Sequence, residues 1–234
     1  MKLEIWSDIN CPFCYIAKKN FEKALHRFEH KSEIEIEWRS YQLYPEIKTN
    51  QDSTYFSYLA ERDEITVEDI AMEYEFIQEM ADDADIKMNL ANARVINTRN
   101  AHRLLQFAKI NGKSSEAEEL LFKSYFDLNL NIDKPDILLE LVEELNLNKD
   151  EFKLAFDSKS IEQLILDDLK RAKTLGINSV PHFKFNENFS IQGSQDESAF
   201  IKALEKAWNT AAEDNTDDDL FEKGLNCSID GSCN

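Results

Sequence analysis

The chain has 234 residues, 42% hydrophobic and 31% charged, which provides material for a sizeable core and argues against wholesale disorder. Its 46 acidic residues against 27 Lys and Arg give a net charge of −19, which repels phosphate backbones and anionic lipid and argues against nucleic acid or a membrane surface as partner. Five glycines and four prolines are too few for turn-dense β-sandwiches and propellers.

The first elements read as β-α-β. Lys2 to Ser7 alternates, with Leu3 and Ile5 on one face, and Ser32 to Tyr41 repeats the pattern through Ile34, Ile36 and Trp38. Between them Cys14, Ala17, Phe21, Leu25 and Phe28 recur at helical spacing, with Pro12 in the first turn, where its missing N–H does no harm. From about Thr66 to Gly176 the patterns are helical and no strand is expected: stripes run through Val67, Ile70 and Tyr74, through Ala101, Leu104 and Ala108, from Pro135 through Val142, and through Leu164, Leu169 and Ala172. Strand character returns at Val180 to Phe185 and Phe189 to Gln192, a hairpin turning at Asn186-Glu187-Asn188, and a helix through Phe200, Leu204 and Trp208 follows. The acidic run Glu213 to Asp219 reads as a solvated linker.

This order predicts an α/β sheet domain in two pieces, residues 1–62 and 177–210, opened by a helical insertion over 63–176 and followed by a tail, 211–234. No apolar run reaches the length of a membrane span, and Met1 to Asp8 lacks the basic and apolar regions of a signal peptide, so a cytoplasmic location is expected.

Cysteine carries the chemistry. Cys11-Pro12-Phe13-Cys14 falls at the strand-to-helix junction. A thiol at the helix N-cap lies at the positive end of the macrodipole, which favours its thiolate, so Cys11 is the expected attacking sulfur. Cys14 aligns with Ala17 and Phe21 toward the core and is the expected resolving thiol; Lys18, one turn on, reads as exposed. The same C-x2-C spacing also suits half of a zinc site, but no second ligand pair stands in place to complete one. Val180-Pro181 opens a strand after a Gly-ended helix, and sequence alone leaves its isomer open. Thr98 and His102 share a helix face, as do Asn97 and Ala101, and ordinary polar contacts within a helix account for all of them. His26 and His30, at i, i+4 spacing, read as a solvated helix face, and His182 follows the proline. In the tail, Cys227 and Cys233 flank an Asp230-Gly231 turn able to bring the sulfurs together. That pair is open to reading as an active dithiol, inert thiols or part of a metal clip, and Leu220, Phe221 and Leu225 form an apolar cluster able to dock the tail on the body.

Three segments carry a resemblance: Ser7 to Lys18, Asn97 to Leu104, and Ile177 to Phe183, with Ile191 to Gln195 and the last helix extending it to nearly Trp208. Together they resemble the DsbA family of thioredoxin-fold dithiol–disulfide oxidoreductases, and within it the cytoplasmic FrnE-like branch. The resemblance implies a thioredoxin-like fold, a cis Pro181 facing the cysteine pair, and a Val180 backbone free to pair with substrate. It also implies a substrate-facing role for some of Asn97, Thr98 and His102, and a second redox pair at Cys227 and Cys233. Phe13 departs from the Trp of that branch and from the His of periplasmic DsbA proteins; lacking an N–H or a charge to offer a thiolate, it argues against a strongly oxidising couple. The expected function is cytoplasmic thiol–disulfide exchange with protein or small disulfides, with thioredoxin or glutathione as electron partner and no cofactor or metal. The rivals are a glutathione-linked transferase or isomerase on the same fold, which presents serine in place of Cys11, and a non-catalytic holdase.

Overall fold

The computed structural model describes residues 1–210, 224–228 and 233, and its chain groups into two compact units, 1–43 with 168–234 and 44–167. The expected insertion over 63–176 starts and ends later than the second unit, which includes the helix preceding residue 63 and ends inside a helix. The acidic run, Leu220, Phe221 and the Asp230-Gly231 turn lie outside the described residues.

The first unit is built on a four-stranded sheet in the order β2-β1-β6-β7, comprising β1 (Lys2–Ser7), β2 (Glu35–Ser40), β6 (His182–Phe185) and β7 (Phe189–Gln192). β1 runs parallel to β2 and antiparallel to β6, with Ile5 opposite Trp38 on one side and Phe183 on the other. Leu3 and Ile5 pack with α1 (Pro12–Arg27) and α9 (Glu197–Thr210) in a core where Phe183 meets Phe21 at 5.6 Å and Phe200 at 4.7 Å. The alternating residues Glu4 and Trp6 are also buried, so β1 is covered on both faces, as suits a central strand with a parallel neighbour. On this second face lies the end of α8 (Lys159–Thr174): Asp168 accepts from Arg39 Nη1 at 2.7 Å and from the Ser40 amide at 2.9 Å, and its carbonyl accepts from Trp6 Nε1 at 3.3 Å. Arg39 and Arg171 both donate to the buried Glu4 carboxylate; burial pulls its pKa up, but the hydrogen bond from Arg171 and the charge and hydrogen bond of Arg39 together hold it below the usual carboxylate range.

The expected hairpin forms between β6 and β7, but its first strand is divided. Pro181 separates β5 (Ser179–Val180) from β6, and β5 pairs instead with β8 (Cys227–Ser228) in the tail, a strand too short to leave a sequence pattern. Gly176 ends α8 with φ +71, the left-handed conformation a helix terminus takes most easily at glycine.

The second unit is helical, with α2 (Tyr55–Asp63), α3 (Val67–Asp83), α4 (Arg99–Ile110), α5 (Ser114–Phe126), α6 (Pro135–Glu144) and α7 (Lys149–Phe156) before α8. The starts follow local rules: a capping box between Thr66 and Asp69 opens α3, the Asn148 side chain caps α7, and Pro135 takes the first turn of α6. Leu104, Leu121, Phe122, Leu138 and Val142 are fully buried within it. Against the strand-free expectation from Thr66 to Gly176, β4 (Arg94–Val95) forms a small antiparallel pair with β3 (Asn50–Thr54), which precedes that stretch. No helix among the described residues is long and apolar enough to cross a membrane.

Candidate active site

The site begins where β1 hands over to α1. Cys11 is the N-cap residue, in extended conformation with φ −93 and ψ 111, and Pro12 follows as the first helical residue. The Cys11 amide donates to the Asp8 carbonyl at 3.1 Å, and the Cys14 amide to the Cys11 carbonyl at 3.1 Å, so the two cysteines are held by one tight turn. Asp8 is fully buried, and its carboxylate accepts from the Leu43 amide at 2.7 Å, which ties the turn to the segment that follows β2. Both cysteines are free thiols.

Across from them stands the proline loop. The Val180–Pro181 peptide is cis, and the Cys11 thiol donates to the Val180 carbonyl at 3.7 Å. The fold thus brings Cys11, Cys14, Val180 and Pro181 together from segments some 170 positions apart. Asn97, Thr98 and His102 belong to the second unit. There Asn97 precedes α4, not on a helix face as its spacing suggested: its side chain donates to the carbonyls of Ile47 at 2.8 Å and Pro45 at 3.2 Å and accepts from the Arg99 amide at 2.9 Å, while Thr98, the N-cap residue of α4, and His102 within the helix are buried.

The two thiols lie in a dry environment, Cys11 at 0% and Cys14 at 1% exposure. Burial pushes the Cys14 thiol well above its ordinary range, and the hydrogen bond and charge of Cys11 push it further, against the opposing pull of the Asp8 backbone and the Ser7 side chain. His182, next to Pro181, packs edge-on to Trp6 at 6.0 Å, and burial with the nearby Lys184 charge lowers its imidazole from 6.5 to about 4. Its Nδ1 has no hydrogen-bond partner among the described residues.

Two expectations need correction. Lys18 is 1% exposed: it shares the core-facing register of Cys14, and its ammonium pairs with Glu22 and lies 6.0 Å over the Trp38 ring. His30 lies beyond the end of α1 and stacks on Trp208 at 4.1 Å, so it shares no helix face with His26.

Sequence reasoning missed the segment that borders the proline loop. The Gly193 amide donates to the Pro181 carbonyl at 2.8 Å, and the tail runs alongside, with Val180 opposite Cys227 and Ser179 opposite Ser228. Cys227 is buried and joined to Cys233 in a disulfide, so these two cysteines are not free thiols here. The signal was Gly193 itself, at φ +83 directly after a strand. Among the described residues no group of three or more His, Cys, Asp or Glu is placed to hold a metal ion.

A two-cysteine turn at the N-terminus of a helix on a sheet of this topology, facing a cis proline, defines a thiol–disulfide oxidoreductase of DsbA type. The chain belongs to the DSBA-like thioredoxin domain family, which matches residues 2–205. It is 28% identical over 207 residues to the uncharacterized protein YwbO of Bacillus subtilis (strain 168), across 86% of this chain and 94% of that one. The crystal structure of the probable DsbA oxidoreductase SCO1869 from Streptomyces coelicolor has a TM-score of 0.83 at 26% identity, covering 100% of this chain and 98% of that one. The cytosolic disulfide reductase DsbM from Pseudomonas aeruginosa, solved also with GSH, shares the fold at a TM-score of 0.60 and 15% identity, over 89% of this chain and 99% of that one.

Proposed function

We propose that this protein is a cytoplasmic, FrnE-like thiol–disulfide oxidoreductase in which Cys11 attacks and Cys14 resolves. The observation that carries the reading is a pair of free thiols in one turn, with Cys11 Sγ 3.7 Å from the carbonyl that precedes cis Pro181. The Cys11 thiolate attacks one sulfur of a substrate disulfide; a Cys11–substrate disulfide forms as the substrate S–S bond breaks, and the released thiolate takes up a proton. Cys14 then gives up its proton and attacks Cys11 Sγ, closing the Cys11–Cys14 disulfide and releasing the second substrate sulfur as a thiol. Two electrons pass from dithiol to substrate, so no cofactor enters the reaction. The order of attack has a physical basis. Once Cys11 is in a mixed disulfide, the hydrogen bond and charge that raise Cys14 are gone, and the resolving thiolate forms more easily.

Val180 and Pro181 serve as the docking edge, and the buried Thr98, the N-cap residue of α4, and His102, within it, are assigned to substrate contact beside Asn97. The substrates are protein or small disulfides. Thioredoxin or glutathione closes the cycle by reducing Cys11–Cys14, with Cys227 and Cys233 as a second redox pair that exchanges with it; a fold relative solved with GSH supports glutathione as one such partner.

The test is Cys14→Ser. A dithiol mechanism predicts that this variant accumulates a mixed disulfide on Cys11, visible by intact mass. Normal turnover would instead favour a one-thiol, glutathione-linked transferase or isomerase. Chaperone activity undiminished after alkylation of Cys11, with no disulfide turnover in the untreated protein, would favour a holdase.

A further inference from the structure

The tail meets the body by backbone contacts on two sides of the proline loop. Gly224 donates to the Gln192 carbonyl at 2.9 Å, and the Ser194 amide donates to the Leu225 carbonyl at 2.6 Å. Three residues further on, Cys227 lies opposite Val180, whose carbonyl is the one that receives the Cys11 thiol. Gly224 to Ser228 therefore lies as an extended segment along the edge beside the attacking sulfur. Main-chain bonds of this kind are indifferent to sequence, so any extended segment is able to make them, and selectivity comes from where side chains do or do not fit.

One position excludes side chains from both partners. A Cβ on Gly193 would lie 2.0 Å from the Gly224 carbonyl oxygen, and a Cβ on Gly224 would lie 2.0 Å from the Ser194 carbonyl oxygen. Both obstacles are backbone, and neither retreats without breaking the bonds at 2.6 and 2.9 Å. Gly193 also holds φ +83, a conformation that disfavours any replacement. The crossing thus demands glycine in the docked segment three residues before its cysteine.

We propose that the edge formed by Ser179–Val180 and Gln192–Ser194 is a docking site for extended Gly-x-x-Cys segments, that Gly224–Ser228 of this chain is its resident occupant, and that a protein disulfide reaches Cys11 by displacing it. The inference rests on the thiol–disulfide reading of Cys11 and Cys14 and names the substrate class for that site. The attacking thiol is 0% exposed, and the residue whose carbonyl receives it is the one that pairs with the resident segment. The crossing also separates peptide from small-molecule substrates: a segment with no residue three positions before its cysteine gains nothing from it.

The test uses the full chain with its tail disulfide closed, comparing the native protein with Gly224→Ala. We expect N-ethylmaleimide to label Cys11 at least about tenfold faster in the variant, since its docked backbone bonds are lost. The Ser194 amide should change from slow to fast hydrogen exchange in step, which shows undocking independently of any thiol chemistry. In the variant, a synthetic peptide disulfide carrying Gly three residues before its cysteine should oxidise Cys11/Cys14 at least about tenfold faster than the same peptide with Ala there. Unchanged labelling of Cys11, a Ser194 amide equally protected in both proteins, or equal rates for the two peptides would each overturn the proposal. Faster labelling and exchange with no disulfide turnover by either protein would leave the docking intact and remove the dithiol reading. Equal slow labelling with normal insulin-disulfide turnover would do the reverse.

Discussion

The molecule carries two close cysteine pairs in opposite states. Cys11 and Cys14 are free thiols in one turn at the start of a helix, anchored by the buried Asp8, whereas Cys227 and Cys233 are joined in a disulfide across an antiparallel bridge in the tail. The first pair has fixed surroundings that shape each sulfur differently: one belongs to the helix's N-cap residue and donates to the Val180 carbonyl, and the other is buried in the first turn with its thiol held neutral. The second pair is placed by main-chain pairing of a short strand, and its fixed neighbour is the proline loop of the first. Spacing along the chain does not distinguish the chemistry of such pairs; what surrounds each sulfur does.

The sharpest way to break this comparison is to disable each pair in turn. Cys11→Ser should lower insulin-disulfide reduction by on the order of a thousandfold or more, because it deletes the nucleophile, while Cys227→Ser with Cys233→Ser should leave stoichiometric reduction by the already reduced protein in place. Equal losses in the two proteins would make the pairs one functional unit.

Acid should act on the loop that lies between the pairs. His182 is held neutral, with its imidazole lowered to about 4 from 6.5, so below 6.5 the unfolded chain takes up the proton first. Stability is then fully present above about pH 6.5 and falls as the pH drops through about 4, by about 3 kcal/mol in all. Urea titrations across that range should show the slope in the native protein, and His182→Gln should flatten it.

A smaller effect separates the two sulfurs of the first pair. In Cys11→Ser the remaining burial still raises Cys14, so its alkylation should keep climbing by about tenfold per pH unit above pH 9, where an ordinary thiol levels off. A plateau near pH 9 would show that Cys11, and not burial, holds Cys14 neutral. The smallest expected change is in the tail: Cys227→Ser with Cys233→Ser should slow reduction of the oxidised Cys11–Cys14 disulfide by thioredoxin or glutathione by about threefold to tenfold. An unchanged rate with every reductant would remove the tail pair from the electron path.

Much of the first unit was legible because its signals are local. Alternation marked β1, three- and four-residue spacing with Pro12 marked α1, and the turn residues Asn186 to Asn188 separated β6 from β7. The burial of Lys18 was legible too, since it stands one turn beyond Cys14 on the same face; its charge hid that, and Glu22 supplies the partner that lets it stay inside. What remained hidden depends on pairing between distant segments. β8 has two residues and no periodicity of its own, and only the edge left by β5 gives it a place. β4 is equally short and exists through its pairing with β3. At the site, the cysteines and proline announced themselves by residue type, whereas Gln192, Gly193 and Ser194 contribute chiefly backbone groups, which no pattern of side chains records, although the Gln192 side chain also donates to Ser179 Oγ.

The most direct test of the central claim is a redox titration of Cys11 and Cys14 against glutathione in the Cys227→Ser, Cys233→Ser protein, read by mass after alkylation. We expect an intramolecular Cys11–Cys14 disulfide to form in a single two-electron transition, at a potential more reducing than the roughly −120 mV of DsbA because Phe13 offers a thiolate neither charge nor N–H. Glutathione accumulating on Cys11 alone, with Cys14 reduced throughout, would contradict it.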